Sequence, residues 1–84
     1  MKLFAISNTE KFLNKVLACS GMVYSVSANG EKTDLKAMAR SLVRSGMAER
    51  MNGIKEIDLV FEHKDDAVKL LRFAAEMIRD TKVA

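Results

Sequence analysis

The chain has no proline and no tryptophan, a single cysteine, a single histidine and only four glycines. Without proline, and with so few glycines, no linker or low-complexity stretch divides its 84 residues, and no internal repeat is visible. The lone thiol, Cys19, excludes an intramolecular disulfide and a cysteine-rich zinc site. Its apolar neighbours read it as a small packed hydrophobe at the end of a helix rather than a reactive group. The apolar run Met1 to Ile6 is too short for a signal peptide. Nothing approaches the roughly 20 apolar residues that span a bilayer. These absences lead to the expectation of one cytoplasmic domain over residues 1–84, without cofactor, metal or membrane.

What is present supports a packed domain. Hydrophobic residues make up 49% of the chain, enough for a core and against disorder. At 84 residues that core is small but sufficient without a staple. The net charge of +3 is mildly basic and only weakly favours acidic partners, since nucleic-acid modules concentrate far more positive charge.

Periodicity predicts seven elements. Residues 2–7 form a strand with Phe4 and Ile6 on one face. Ser7-Asn-Thr-Glu10 fits a capping box, with Ser7 as the cap and Glu10 reaching back. The helix that follows shows Phe12, Leu13, Val16, Leu17 and Ser20 on one side, and Gly21 stops it. Residues 22–28 are a strand whose alternate sides are Met22, Tyr24, Val26, Ala28 and Val23, Ser25, Ser27. Asn29-Gly30 predicts a type I′ hairpin turn into a short strand over 31–34. Thr33 or Asp34 caps a second helix with apolar positions Leu35, Met38, Leu42 and Val43. Gly46 to Gly53 is a connection anchored by Met47 and Met51. Ile54 to Phe61 is a strand with Ile57, Leu59 and Phe61 facing one way. Asp65 caps the last helix, and Asp66 suits its positive end. Its buried stripe is Ala67, Val68, Leu71, Ala74, Ala75 and Ile78, widened by Leu70, Phe73 and Met77.

The order β-α-β-β-α-β-α implies an α+β, two-layer open-faced sandwich. Each helix has one apolar stripe, so three helices must cover one face of a small sheet. The late strand fits between the first and second, antiparallel to both, giving the order 1-4-2-3.

Asn29-Gly-Glu-Lys-Thr-Asp-Leu-Lys-Ala-Met38 places a hairpin, a short strand and a helix start in ten residues. With Leu35-Lys36 before the second helix, and Ile57-Asp-Leu-Val-Phe61 before an acidic-capped helix, it resembles the histidine-containing phosphocarrier protein (HPr) family of the bacterial sugar phosphotransferase system. The resemblance covers nearly the whole chain and implies the same sandwich. It also implies a phosphoacceptor histidine opening the first helix, within Gly-Ile-His-Ala-Arg-Pro, and a regulatory serine opening the second. This chain has Ile6-Ser-Asn-Thr-Glu-Lys11 at the first place. Asn8 stands nearest the histidine position, and Glu10 replaces the arginine that steadies the phosphate. Ala37 stands at the serine position, while Ser41 and Ser45 lie too far along the helix. Both phosphosites, at Asn8 and Ala37, are expected to be lost. His63, after the last strand, reads as a solvated loop residue at the wrong end of the sheet.

A candidate partner surface remains. Lys36, Arg40 and Arg44, spaced four apart, form a basic edge on the second helix. Met38 and Ala39 add an apolar part, and Thr9 lies across on the first helix. An ordinary solvated face with Met38 in the core accounts for the same pattern. Three function classes follow. One is a non-phosphorylatable regulatory or adaptor domain that binds a protein. The alternative is a weak nucleic-acid-binding domain using the basic face with Arg50 and Lys55, although no aromatics are interleaved for base stacking. An enzyme is the weakest, because Cys/His pairs, a phosphate loop and a Ser/His/Asp grouping are all missing. The Asp65-Asp66 pair is a helix start with too few ligands for a metal.

Overall fold

A computed structural model describes residues 1–51 and 53–83, with side chains through residue 76. The elements are β1 (Lys2–Ile6), α1 (Thr9–Leu17), β2 (Val23–Val26), β3 (Lys32–Asp34), α2 (Leu35–Arg44), α3 (Met47–Arg50), β4 (Ile54–Phe61) and α4 (Lys64–Val83). The sheet order is β1-β4-β2-β3 and every neighbouring pair is antiparallel, so β1 and β2 run parallel to each other on either side of β4. The α+β sandwich and its strand order are those expected from the periodicities. The turn α3 is added inside the segment expected to be a loop.

Helices and sheet meet in one core of Leu3, Ile6, Phe12, Leu13, Val16, Val23, Leu35, Ala39, Leu59, Leu70 and Phe73. Ile57 and Phe61 pack against it from the same face of β4 as Leu59. Phe12 on α1 and Phe73 on α4 sit with ring centroids 6.4 Å apart, a tilted pair that joins the two helices.

Four local readings change. In β1 the buried pair is Leu3 and Ile6, while Phe4 is 58% exposed. Strict alternation put Phe4 with Ile6, but Ala5 adopts a left-handed φ of 55°, which reverses the facing of the strand midway. In the hairpin, Gly30 N–H donates to Ser27 O and Ser27 N–H to Glu31 O, both at 2.9 Å. Gly30 (φ 88°) has a positive φ and Asn29 does not, so Ala28 and Asn29 form the turn and Gly30 the left-handed residue after it. A type I′ turn is thereby replaced. Met47 and Met51 do not anchor the connection: they are 48% and 38% exposed, and Ala48 is the buried residue of α3. In α4 the buried line is Asp66, Leu70 and Phe73, flanked by Ala67 and Ala74. Val68, Leu71 and Ala75 face outward, whereas Met77 and Ile78 lie outside the residues whose side chains are described. The helix is turned by Asp66, whose carboxylate accepts from the main-chain N–H groups of Ser20 and Gly21.

Two positions test this backbone with opposite signs. Ala5→Gly removes the left-handed penalty of a Cβ, ~1–2 kcal/mol, against a glycine entropy cost of ~0.5–1 kcal/mol. Urea unfolding should therefore show a gain of about 0.5–1 kcal/mol. Gly53 has φ 103°, and a Cβ there would lie 2.7 Å from Ile6 O. Gly53→Ala should lose about 2 kcal/mol in the same assay.

Candidate functional site

The N-terminus of α1 is closed from within. Asn8 (φ −105°, ψ 91°) is the cap, and its Oδ1 accepts from Lys11 N–H at 3.0 Å. Ser7 is therefore not the cap, and the capping box does not form. Glu10 turns instead to Glu49 on α3, 39 positions later in the sequence. A hydrogen bond between two carboxyl groups needs a proton, so the contact with Glu49, helped by burial and like charge, raises the Glu10 carboxyl above its usual 4.5. Thr9 is 2% exposed and its hydroxyl has no hydrogen-bond partner, which places it in the core and removes it from the partner surface. A helix N-terminus attracts anions through free N–H groups and positive potential. Here one N–H is taken by Asn8 and two carboxyl groups stand beside it.

The start of α2 is closed in the same way. Asp34 is the cap, accepting from Ala37 N–H at 3.1 Å, and Ala37 presents a methyl group to solvent. Ser41 and Ser45 lie one and two turns further on. The Ser45 hydroxyl donates to Leu42 O at 3.2 Å, an ordinary helix-end contact.

His63 follows β4 and is 55% exposed, with Nε2 3.4 Å from Glu62 Oε1. Its ring lies against Gly21, and Glu62 N–H donates to Met22 O, so it sits where β2 begins. The α1 N-terminus follows Ile6, which pairs with Ile54 at the other end of β4. Seven residue steps of strand separate Ile54 from Phe61, about 24 Å at ~3.4 Å each. No imidazole reaches the α1 N-terminus.

On α2, the expected basic edge divides. Lys36 is half-buried and its ammonium donates to Cys19 O at 2.6 Å and Gly21 O at 3.2 Å. Arg40 and Arg44 are exposed and border a shallow depression of about 380 Å³ with Ala37, Ser41 and Ser45. Ala39 is fully buried and adds nothing to the surface, while Met38 is 43% exposed rather than core. Met47 and Met51 on and after α3 are the other exposed methionines of this part of the chain. Their facing was misread as inward because a glycine-bounded loop gives no periodicity to its side chains.

The elements carrying these residues are joined at Cys19-Ser20-Gly21. Asp66 is fully buried, and its carboxylate accepts from Gly21 N–H at 2.9 Å, Ser20 N–H at 3.0 Å and the Ser20 hydroxyl at 3.3 Å. Lys36 holds the carbonyls of the same segment from the opposite side. Cys19 is buried beneath them, its thiol donating to Lys15 O and pushed up in pKa by burial and by Asp66. Such a thiol is a poor nucleophile.

The chain matches no family model, no curated protein and no solved structure. Among the described residues no helix is long and apolar enough to cross a membrane, and no group of three or more His, Cys, Asp or Glu is placed to hold a metal ion.

The two acidic sites have opposite pH signatures. The N–H groups of Gly21 and then Ser20 hold the Asp66 carboxyl below its ordinary 3.8. Its stabilisation is complete above that value and is lost as the pH falls through the lower folded one. Asp66→Asn should flatten the acid limb of stability against pH, measured by urea unfolding. Glu10 is raised, so its penalty is full at neutral pH and vanishes as the pH falls below 4.5. Glu49→Gln should therefore stabilise the protein at pH 7 and give no difference at pH 4.

Proposed function

We propose that the chain is a divergent member of the HPr family that has given up phosphotransfer and acts as a cytoplasmic regulatory or adaptor domain, binding an acidic protein partner. The observation that carries this reading is the Asn8 cap of α1, whose Oδ1 accepts from Lys11 N–H at 3.0 Å where the family would place its phosphoacceptor imidazole. Phosphohistidine chemistry at that place requires an imidazole to accept the phosphoryl group and positive potential to steady it. Asn8 has no such nucleophile, and the neighbouring carboxyl groups repel a phosphate. The loss at Ala37 is of the same kind, since a methyl group cannot be phosphorylated.

Support for a binding role comes from α2. Arg40 and Arg44 are free to meet carboxylates, and exposed Met38 offers an adaptable apolar contact. Lys36 contributes through the fold, by fixing the start of α2 against the α1–β2 connection. The small groove floor of Ala37, Ser41 and Ser45 lets a partner main chain approach closely. Nothing aromatic borders this face, which favours a protein over a single-stranded nucleic acid.

Incubation with the general phosphotransferase enzyme and phosphoenolpyruvate tests the first half of this reading. No acid-labile phosphate should appear, and Asn8→His alone should transfer poorly while Glu10 and Glu49 remain. A phosphohistidine at His63 would contradict it. Affinity capture from the native cytoplasm tests the second half. Arg40→Glu with Arg44→Glu should reduce recovery of the partner at least tenfold, and unchanged recovery would move the binding face elsewhere.

A further inference from the structure

The last turn of α1 and the middle of α4 border a small cleft that the α2 face does not share. Phe12 and Phe73, with ring centroids 6.4 Å apart, join the two helices in the core beside it. Ala18 and the buried Phe73 give the cleft its apolar part. Lys15 from α1 and Lys69, Arg72 and Glu76 from α4 line the rest, and all four are exposed. The cavity measures about 250 Å³, below the ~300–1,000 Å³ of pockets for drug-sized ligands, so it suits a smaller molecule.

Charge decides what such a molecule must be. Lys69 and Arg72, three apart on one helix, repel each other, and Lys15 adds a third cation from the neighbouring helix. Among the described residues none of the three forms an ion pair. Three cations against the one carboxylate of Glu76 leave the cleft a surplus of two positive charges. An anion between the cations would relieve their repulsion and gain charge-assisted hydrogen bonds. A phosphate monoester carries a charge of about −1.5 to −2 near pH 7 and three strong acceptor oxygens, which match the surplus and the three donor groups. A carboxylate or a phosphodiester brings only one charge. Glu76 would repel a second phosphate, as on a nucleic-acid strand, but can accept from a hydroxyl.

We propose that the α1–α4 cleft binds a small hydroxyl-bearing phosphate monoester, free in solution. Its phosphate would lie among Lys15, Lys69 and Arg72, its carbon chain against Ala18 and Phe73, and a hydroxyl would donate to Glu76. None of these residues belongs to the α2 face, so the site stands whether or not that face binds a partner.

The test titrates the whole chain with glycerol 3-phosphate at pH 7.5 and follows backbone amides by NMR. The amides of Lys15, Ala18, Lys69 and Arg72 should shift and saturate at low millimolar ester, while those of Thr9, Glu10 and α2 stay still. Glycerol should give no shift, and dimethyl phosphate should bind about tenfold more weakly, as the loss of one charge implies. Lys69→Gln and Arg72→Gln, both at exposed positions, should each weaken the ester about tenfold. A shift that does not saturate, or that appears at Thr9 and Glu10 in place of Lys15 and Lys69, would overturn the proposal. So would equal binding of dimethyl phosphate, which marks a diester site, or unchanged affinity in both variants. Binding to phosphatidic acid vesicles without binding to glycerol 3-phosphate would also overturn it, by assigning the cations to a membrane surface.

Discussion

Cys19, Ser20 and Gly21 lie at the middle of the connection from α1 to β2, and two charged side chains hold their main chain. The Asp66 carboxylate takes the N–H groups and the Lys36 ammonium takes the carbonyls. Main-chain polar groups withdrawn from water must find partners, and charged partners make the stronger bonds. This double hold also fixes neighbouring elements. Asp66 sets the rotation of α4, bringing Leu70 and Phe73 inward and leaving Val68 and Leu71 outside. Lys36 seats the first turn of α2, and with it the outward direction of Arg40 and Arg44. The faces presented to solvent thus follow from two side chains given over to one short connection.

Much of the architecture was legible because it depends on period and punctuation. Alternation marked β4, helical spacing marked α1, and Asp34 before an apolar turn marked the start of α2. Errors arose where one residue obeyed a longer-range demand. Ala5 breaks the alternation of β1 through its backbone conformation, which no side-chain pattern reveals. Asp66 looked like a surface charge suited to a helix dipole, yet it is fully buried because it answers N–H groups 45 and 46 positions earlier. Of the candidate site, the sequence placed Asn8 and Ala37 at helix starts, and the structure puts Asn8 at the cap of α1 and Ala37 in the first turn of α2. The influence of Glu49 on Glu10 was not legible, because it depends on the packing of α3 beside α1.

The core and a functional site make different demands on a chain. Here the demands of the sheet and helices are met by one core of buried aliphatic and aromatic residues. The α1 N-terminus is capped by its own asparagine, and the Glu10 carboxyl lies in its first turn. That arrangement satisfies the helix start from within the chain, and on the reading proposed above it leaves no open anion site there. On the reading proposed above, binding falls to two exposed arginines and a methionine on α2.

The acidic closure of α1 is the central claim, and titration with inorganic phosphate measures it most directly. Following the amides of Thr9, Glu10 and Lys11 by NMR at pH 7, this account predicts no saturable shift even at tens of millimolar phosphate, since two carboxyl groups oppose the helix dipole. A saturable shift confined to those amides would show an anion site still open at the helix start and would contradict it.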